Sequence, residues 1–108
     1  MNEHGQPLDK SGYAPSIIQD ATDCCFLCGR RDRKLDRHEP LQGPYRARSK
    51  ADGLWVLLCH TPCHEGPNGA HGSREIREYL CREAQTAAMD KYGWSVDEWR
   101  TRYGKNWL

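Results

Sequence analysis

The stretch "LWVLLCHTPCHEGPNGAHG", residues 54–72, decides how this chain folds. Its leading segment, Leu54 to Cys59, is a short apolar run with Gly53 before it and Pro62 after it, which reads as a buried strand. The run ends on a cysteine, and Cys63 completes a C-x-x-x-C pair. Upstream, "CCFLCGRR" (24–31) reads as a knuckle in which Cys25 and Cys28 form C-x-x-C and Gly29 supplies the backbone conformation of a tight turn. Two cysteine pairs, each on a turn, present thiolates tetrahedrally, which suits Zn²⁺ because it favours sulfur and imposes no d-electron geometry. Cys25, Cys28, Cys59 and Cys63 are therefore the candidate ligands of a structural zinc. Cys24 is an alternative to Cys25, and Cys81, inside a predicted helix, reads as a small core residue.

Composition leads to the same staple. A chain of 108 residues fits one domain with a modest core, and here Phe occurs once while Cys occurs 6 times, so metal or disulfide must supplement apolar bulk. No stretch is long and apolar enough to cross a bilayer, and Met1 to Ser11 is polar with no resemblance to a signal peptide. The expected compartment is the cytoplasm, where thiols stay reduced and clustered cysteines are read as metal ligands.

Net charge is only +1, but it is unevenly spread. Arg30, Arg31, Arg33, Lys34, Arg37, Arg46, Arg48 and Lys50 face only Asp32, Asp36 and Glu39 across residues 30–50. A basic segment beside the cysteines is a candidate phosphate-contacting surface, although it also reads as a solvated, arginine-rich loop. Within it, Arg37, Arg46, Arg48 and Lys50 are the candidate nucleic-acid-binding residues.

Residues 1–22 are rich in Gly, Pro, Gln and Ser and are expected to form a flexible or extended arm, loosely docked, with no chemistry assigned to it or to His4. A strand is expected around Lys34 to His38, then a loop over 39–53 marked by Pro40, Gly43, Pro44 and Gly53, then the second strand of a hairpin at 54–59. Ser73 is a good N-cap for a long helix in which Ile76, Leu80, Ala84, Ala87 and Ala88 share one face and Gly93 gives the stop. "SVDE" (95–98) has capping-box spacing and starts a short last helix ending near Gly104. Trp94, Trp99, Tyr103 and Trp107 are expected to pack the small domain, the other reading being a protein-binding patch. The fold class is α+β: a zinc-stapled hairpin with a long helix and a short C-terminal helix.

The histidines suggest a second site. His64 directly follows a zinc cysteine and His38 ends the opposing strand, so closing the hairpin over the knuckle brings them together, with His71 and a basic loop nearby. Imidazole ligands with vacant positions suit Mg²⁺, Mn²⁺, Ni²⁺ or Zn²⁺ acting as a Lewis acid on a phosphodiester.

The order of "RHEP", "RARS", "GLWVLLC" and "PNGAH", with the closing "YGKNWL", resembles the HNH nuclease family, and most of all its small phage-encoded members. The resemblance covers residues 24–108, and it makes 23–108 an HNH-like zinc-containing domain. It implies a ββα-metal fold gripping one divalent ion, and a metal-dependent endonuclease acting on DNA in the cytoplasm of a bacterial host. His38 then takes a ligand position, His64 is the helix-side ligand, and His71 is a further ligand or phosphate contact. Glu39 falls where the family places its general-base histidine, and Tyr45 takes the approximate place of the family's middle Asn. An alternative register makes His38 the base and Asp36 the ligand. Because Glu39 and Tyr45 depart from the motif, two further functions stay open: a zinc-stabilised nucleic-acid-binding module without the chemistry, and a protein-interaction module on the same scaffold.

Overall fold

The computed structural model describes residues 1–108. Its regular elements are β1 (Leu35–His38), α1 (Arg46–Ala51), β2 (Val56–Cys59), α2 (Arg74–Tyr92) and α3 (Val96–Tyr103). The two strands pair antiparallel, Leu35 opposite Cys59 and His38 opposite Val56, so the architecture is the expected α+β hairpin with one long and one short helix. Side chains alternate along a strand, which places Asp36 and His38 on one face of β1 and Leu35 and Arg37 on the other. The second strand is shorter than expected, because β1 ends at His38 opposite Val56, so Leu54 and Trp55 have no strand partner and the Leu54 amide donates to the Ser49 carbonyl at 2.9 Å instead.

The 39–53 segment holds more structure than its prolines and glycines suggested. A 3-10 turn at Gly43–Tyr45 has its proline in the first turn, where the fixed φ suits a helix start, and it leads directly into α1. Ser49 is fully buried there and donates to the carbonyls of Leu41 and Arg46, so "RARS" is a helical turn fastened to the loop before it.

Two apolar clusters carry the packing. One joins Cys25, Val56, Leu58, Cys59, Ala70 and Leu80 beneath the hairpin. The other joins Leu41, Leu54, Ala84, Ala88, Trp99 and Tyr103 between the helices, with Trp94 and Trp107 against its edge. The aromatic C-terminal residues thus pack the domain, as expected. In α2 the Ser73 hydroxyl accepts from the Ile76 amide, and in α3 Ser95 and Glu98 form the full capping box. The buried stripe of α2 includes Cys81 and Gln85 where Ala87 was expected. Gln85 is a polar residue at a core position because its amide is satisfied: it donates to Asn106 Oδ1 at 2.8 Å and accepts from the Trp107 amide at 2.7 Å, pinning the C-terminal residues to α2.

Residues 1–22 contain no helix or strand, yet they are fastened along the body. Ala14 and Ile17 amides donate to the Lys50 and Gly53 carbonyls, and Gln19 Oε1 accepts from the Leu57 amide at 2.8 Å, covering an edge of β2. His4, given no role above, stacks on Tyr92 with ring centroids 3.7 Å apart and reaches the buried Asp52 carboxylate at 3.0 Å. Asp52 also accepts from the Tyr103 hydroxyl and from Arg102, so this carboxylate is paired inside the core.

Candidate metal centres

The cysteine knuckle is built by local hydrogen bonds. Cys25 N–H donates to the Arg30 carbonyl, Gly29 N–H returns to the Cys25 carbonyl, and Gly29 takes φ +77°, where a side chain would be strained. Cys59 ends β2 and Cys63 lies in the wide turn His60–His64 that follows. The sulfurs of Cys25, Cys28, Cys59 and Cys63 all lie within 4.8 Å of one another. The Cys28 and Cys59 sulfurs are 3.9 Å apart, which matches the ~3.8 Å edge of a tetrahedron with 2.3 Å metal–sulfur bonds. Donor set and spacing are therefore those of a zinc-like structural metal site. All the cysteines are free thiols, and Cys24 stays outside the group, its carbonyl accepting from Gln19 instead. Burial raises the Cys25 thiol, but amide donors from Cys28, Cys59 and Leu27 outweigh it and bring the group down to about 7, within reach of the thiolate a metal needs. Cys81 is buried in α2 with its thiol against the Pro40 carbonyl, and burial pushes it up to about 11, so it is the inert core residue the sequence implied.

On the Asp36 face of the hairpin, ring nitrogens of His38, His64 and His71 form a second group, again within 4.8 Å of one another. His64 and His71 meet through their Nε2 atoms at 3.0 Å, and the His38 ring stands edge-on to both. The "PNGAH" loop places His71: Ala70 N–H donates to the Cys63 carbonyl at 2.8 Å and His71 N–H to the His64 carbonyl at 3.1 Å. Gly69 allows this close return, because a Cβ there would lie 2.3 Å from the Pro62 carbonyl oxygen and 2.4 Å from that of Cys63.

Asp36 supports the group from behind. Its Oδ2 lies 2.9 Å from His64 Nδ1 and 2.6 Å from His60 Nδ1. With Nδ1–H directed at the carboxylate, the His64 Nε2 lone pair faces the cluster, the arrangement by which carboxylates orient histidine ligands. Asp36, the ligand of the alternative register, is turned toward His60 and His64, with which it forms a further group of possible ligand atoms within 4.8 Å of one another. His38 is only 4% exposed, and burial, helped by the neighbouring His64 and His71, pushes it down to about 4. At neutral pH it is an uncharged imidazole with a free lone pair, suited to ligation and weak as a base.

Glu39 lines the same cleft, but its carboxylate is engaged. It accepts from the Tyr13 hydroxyl at 2.6 Å, and Arg46 Nε sits 3.2 Å from both its oxygens. Tyr45 does not face the histidines; its ring packs toward Tyr103 and its hydroxyl approaches Gly104. Among the basic candidates, Arg37 and Arg46 line the histidine cleft. The Arg37 guanidinium lies over both Tyr13 and Trp55, at 4.0 and 4.3 Å. Arg48 instead donates to the Arg102 carbonyl at 2.7 Å, and Lys50 lies over the Tyr13 ring at 4.6 Å. Sequence reading weighed His60 with the other histidines but gave it no role, and it missed Tyr13. The first was legible as a histidine one position after the β2 cysteine, whereas nothing local marks the second. Comparison with protein-family models, with curated proteins and with solved structures finds no match for the chain.

Proposed function

We propose that this protein is a metal-dependent phosphodiesterase acting on DNA, an endonuclease of the ββα-metal type to which its sequence motifs are similar. The observation that carries the reading is the convergence of His38, His64 and His71, from the end of one strand, the turn after the other and the approach to the long helix, with Asp36 behind His64. These three imidazoles would hold a divalent cation, Mg²⁺, Mn²⁺, Ni²⁺ or Zn²⁺, and such an ion supplies Lewis acidity toward a phosphodiester oxygen. The four cysteines would hold a separate structural Zn²⁺ beneath the same turn.

The chain's own residues supply the rest. His38 stays neutral because it is buried, and Asp36 fixes the His64 tautomer. Arg46 stands at the rim with a guanidinium group suited to phosphate oxygens, whereas Arg37 borders the cleft with its guanidinium over Tyr13 and Trp55 and bonded to Asp9 Oδ2 at 3.2 Å. The side chain of Arg46 is 63% exposed, so an arriving phosphate can compete for it and release the Glu39 carboxylate. Glu39 is then the group placed to accept the proton of the attacking water, with Tyr13 holding its other oxygen.

A second reading, a zinc-stabilised nucleic-acid-binding module without catalysis, is favoured by one observation: in the resting structure both Glu39 oxygens are already bonded. A nicking assay separates the two. Protein cleared of loosely held cations should nick supercoiled plasmid when given one of the four ions, EDTA should stop it, and Asp36→Asn or His64→Ala should slow it by about tenfold or more. Intact supercoiled, single-stranded and branched DNA under every ion would refute the nuclease and leave the binding module.

A further inference from the structure

Two clefts of about 360 Å³ each meet at His38 and Gln42. One is the histidine cleft described above. The other lies on the α2 side of His38, with Pro40, Cys81 and Trp107 as apolar surface and Arg74, Arg77 and Lys105 as its cations. We propose that this second cleft holds the nucleotide adjoining the phosphate at the histidine cluster, with the next phosphate on Arg74, Arg77 and Lys105; the proposal rests on the nucleic-acid reading of the histidine site.

The lining of the two clefts supports it. Because His38 and Gln42 border both clefts, a chain whose phosphate sits among the histidines has a direct continuation there. The volume is near the lower end of small-molecule sites, enough for a single nucleotide unit and too small for a duplex. Glu78 is the one acidic side chain of the lining, and it is bonded to Arg74 at 2.9 Å, so against it Arg74, Arg77 and Lys105 leave the cleft a net excess of two positive charges. Arg77 is held toward the cluster by its bond to the His71 carbonyl at 3.3 Å, and Lys105 sits over the Trp107 ring at 4.2 Å. Trp107 Nε1 is buried without an acceptor in the protein. By contrast Arg48 and Lys50 line neither cleft. The strand therefore runs from Arg46 across the histidines to Arg74 and Lys105, and not along α1.

The test is fluorescence anisotropy with a labelled oligothymidylate and its duplex, titrated over a salt series with wild type, Arg74→Gln/Lys105→Gln and the control Lys91→Gln/Arg100→Gln. The control removes the same charge from residues outside both clefts. Loss of the Arg74 and Lys105 contacts should weaken single-strand binding about tenfold at low salt and reduce the slope of log K against log salt by roughly 0.7, the share of one phosphate, while the control leaves both as in wild type. Single-strand binding that the cleft variant does not weaken, or weakens no more than the control, overturns the proposal even if plasmid nicking persists. Wild type that binds neither form overturns it together with the nucleic-acid reading. Cleft-dependent binding without nicking upholds the proposal and refutes only the nuclease.

Discussion

His38 sits at the junction of both clefts, and its burial makes its charge state a matter of stability as well as ligation. Its folded value of about 4 lies below the ordinary 6.5, so between those values the unfolded chain takes up a proton that the fold refuses. The contribution is fully present above about pH 6.5 and is lost as pH falls toward 4, amounting to about 3 kcal/mol at the limit. Unfolding of wild type and His38→Gln followed by denaturant across this window should show wild type losing more stability with acid than the variant. Parallel curves would mean that His38 is not buried as described. The residue types of the site were legible, since cysteine and histidine spacing is chemical information. The partners of those residues were not. Tyr13 reaches Glu39 from 26 positions away, a contact that depends on how the N-terminal segment wraps the body, and Arg46 occupies the same carboxylate through the fold of the turn between them.

At the scale of elements, the loop from Pro67 to His71 joins the cysteine turn to α2 and fixes where His71 points. Gly69→Ala would drive a methyl into the carbonyls of Pro62 and Cys63, which are backbone atoms and cannot turn aside. The loop must open, and the expected cost is about 2 kcal/mol or more in denaturant unfolding, together with weaker divalent-cation binding at the histidines. An unchanged midpoint would show that the loop has slack. Local signals served the elements well: Ser73, Gly93 and the Ser95–Glu98 box bound α2 and α3 as their sequence indicates. They misread α1, because Pro44 and Gly43 looked like breakers when the proline in fact begins a helical turn. They gave no sign of Gln85, whose place in the core depends on the distant Asn106 and Trp107.

For the whole molecule, the hairpin and the wide turn after it carry two clusters of possible metal ligands at once. Cys59 and Cys63 face one, and His64, immediately after Cys63, faces the other, so the closed sulfur site positions the histidine site through a single turn. Because both apolar clusters are small, a metal held by the four cysteines would add to the stability and couple metal binding to folding. The hairpin and helices follow from periodicity and capping, but the fastening of residues 1–22 along β2, α1 and Tyr92 is tertiary and has no signature in composition.

The central claim is that two metal sites of different character share this turn. Native mass spectrometry of the protein loaded with Zn²⁺ and Mn²⁺ tests it most directly. Wild type should carry a tightly held Zn²⁺ that survives brief EDTA treatment and a second ion that does not. His64→Ala should lose only the second, whereas Cys59→Ser should lose the zinc and shift to the highly charged ions of an unfolded chain. A single ion in wild type, with a count unchanged in His64→Ala, would contradict the account.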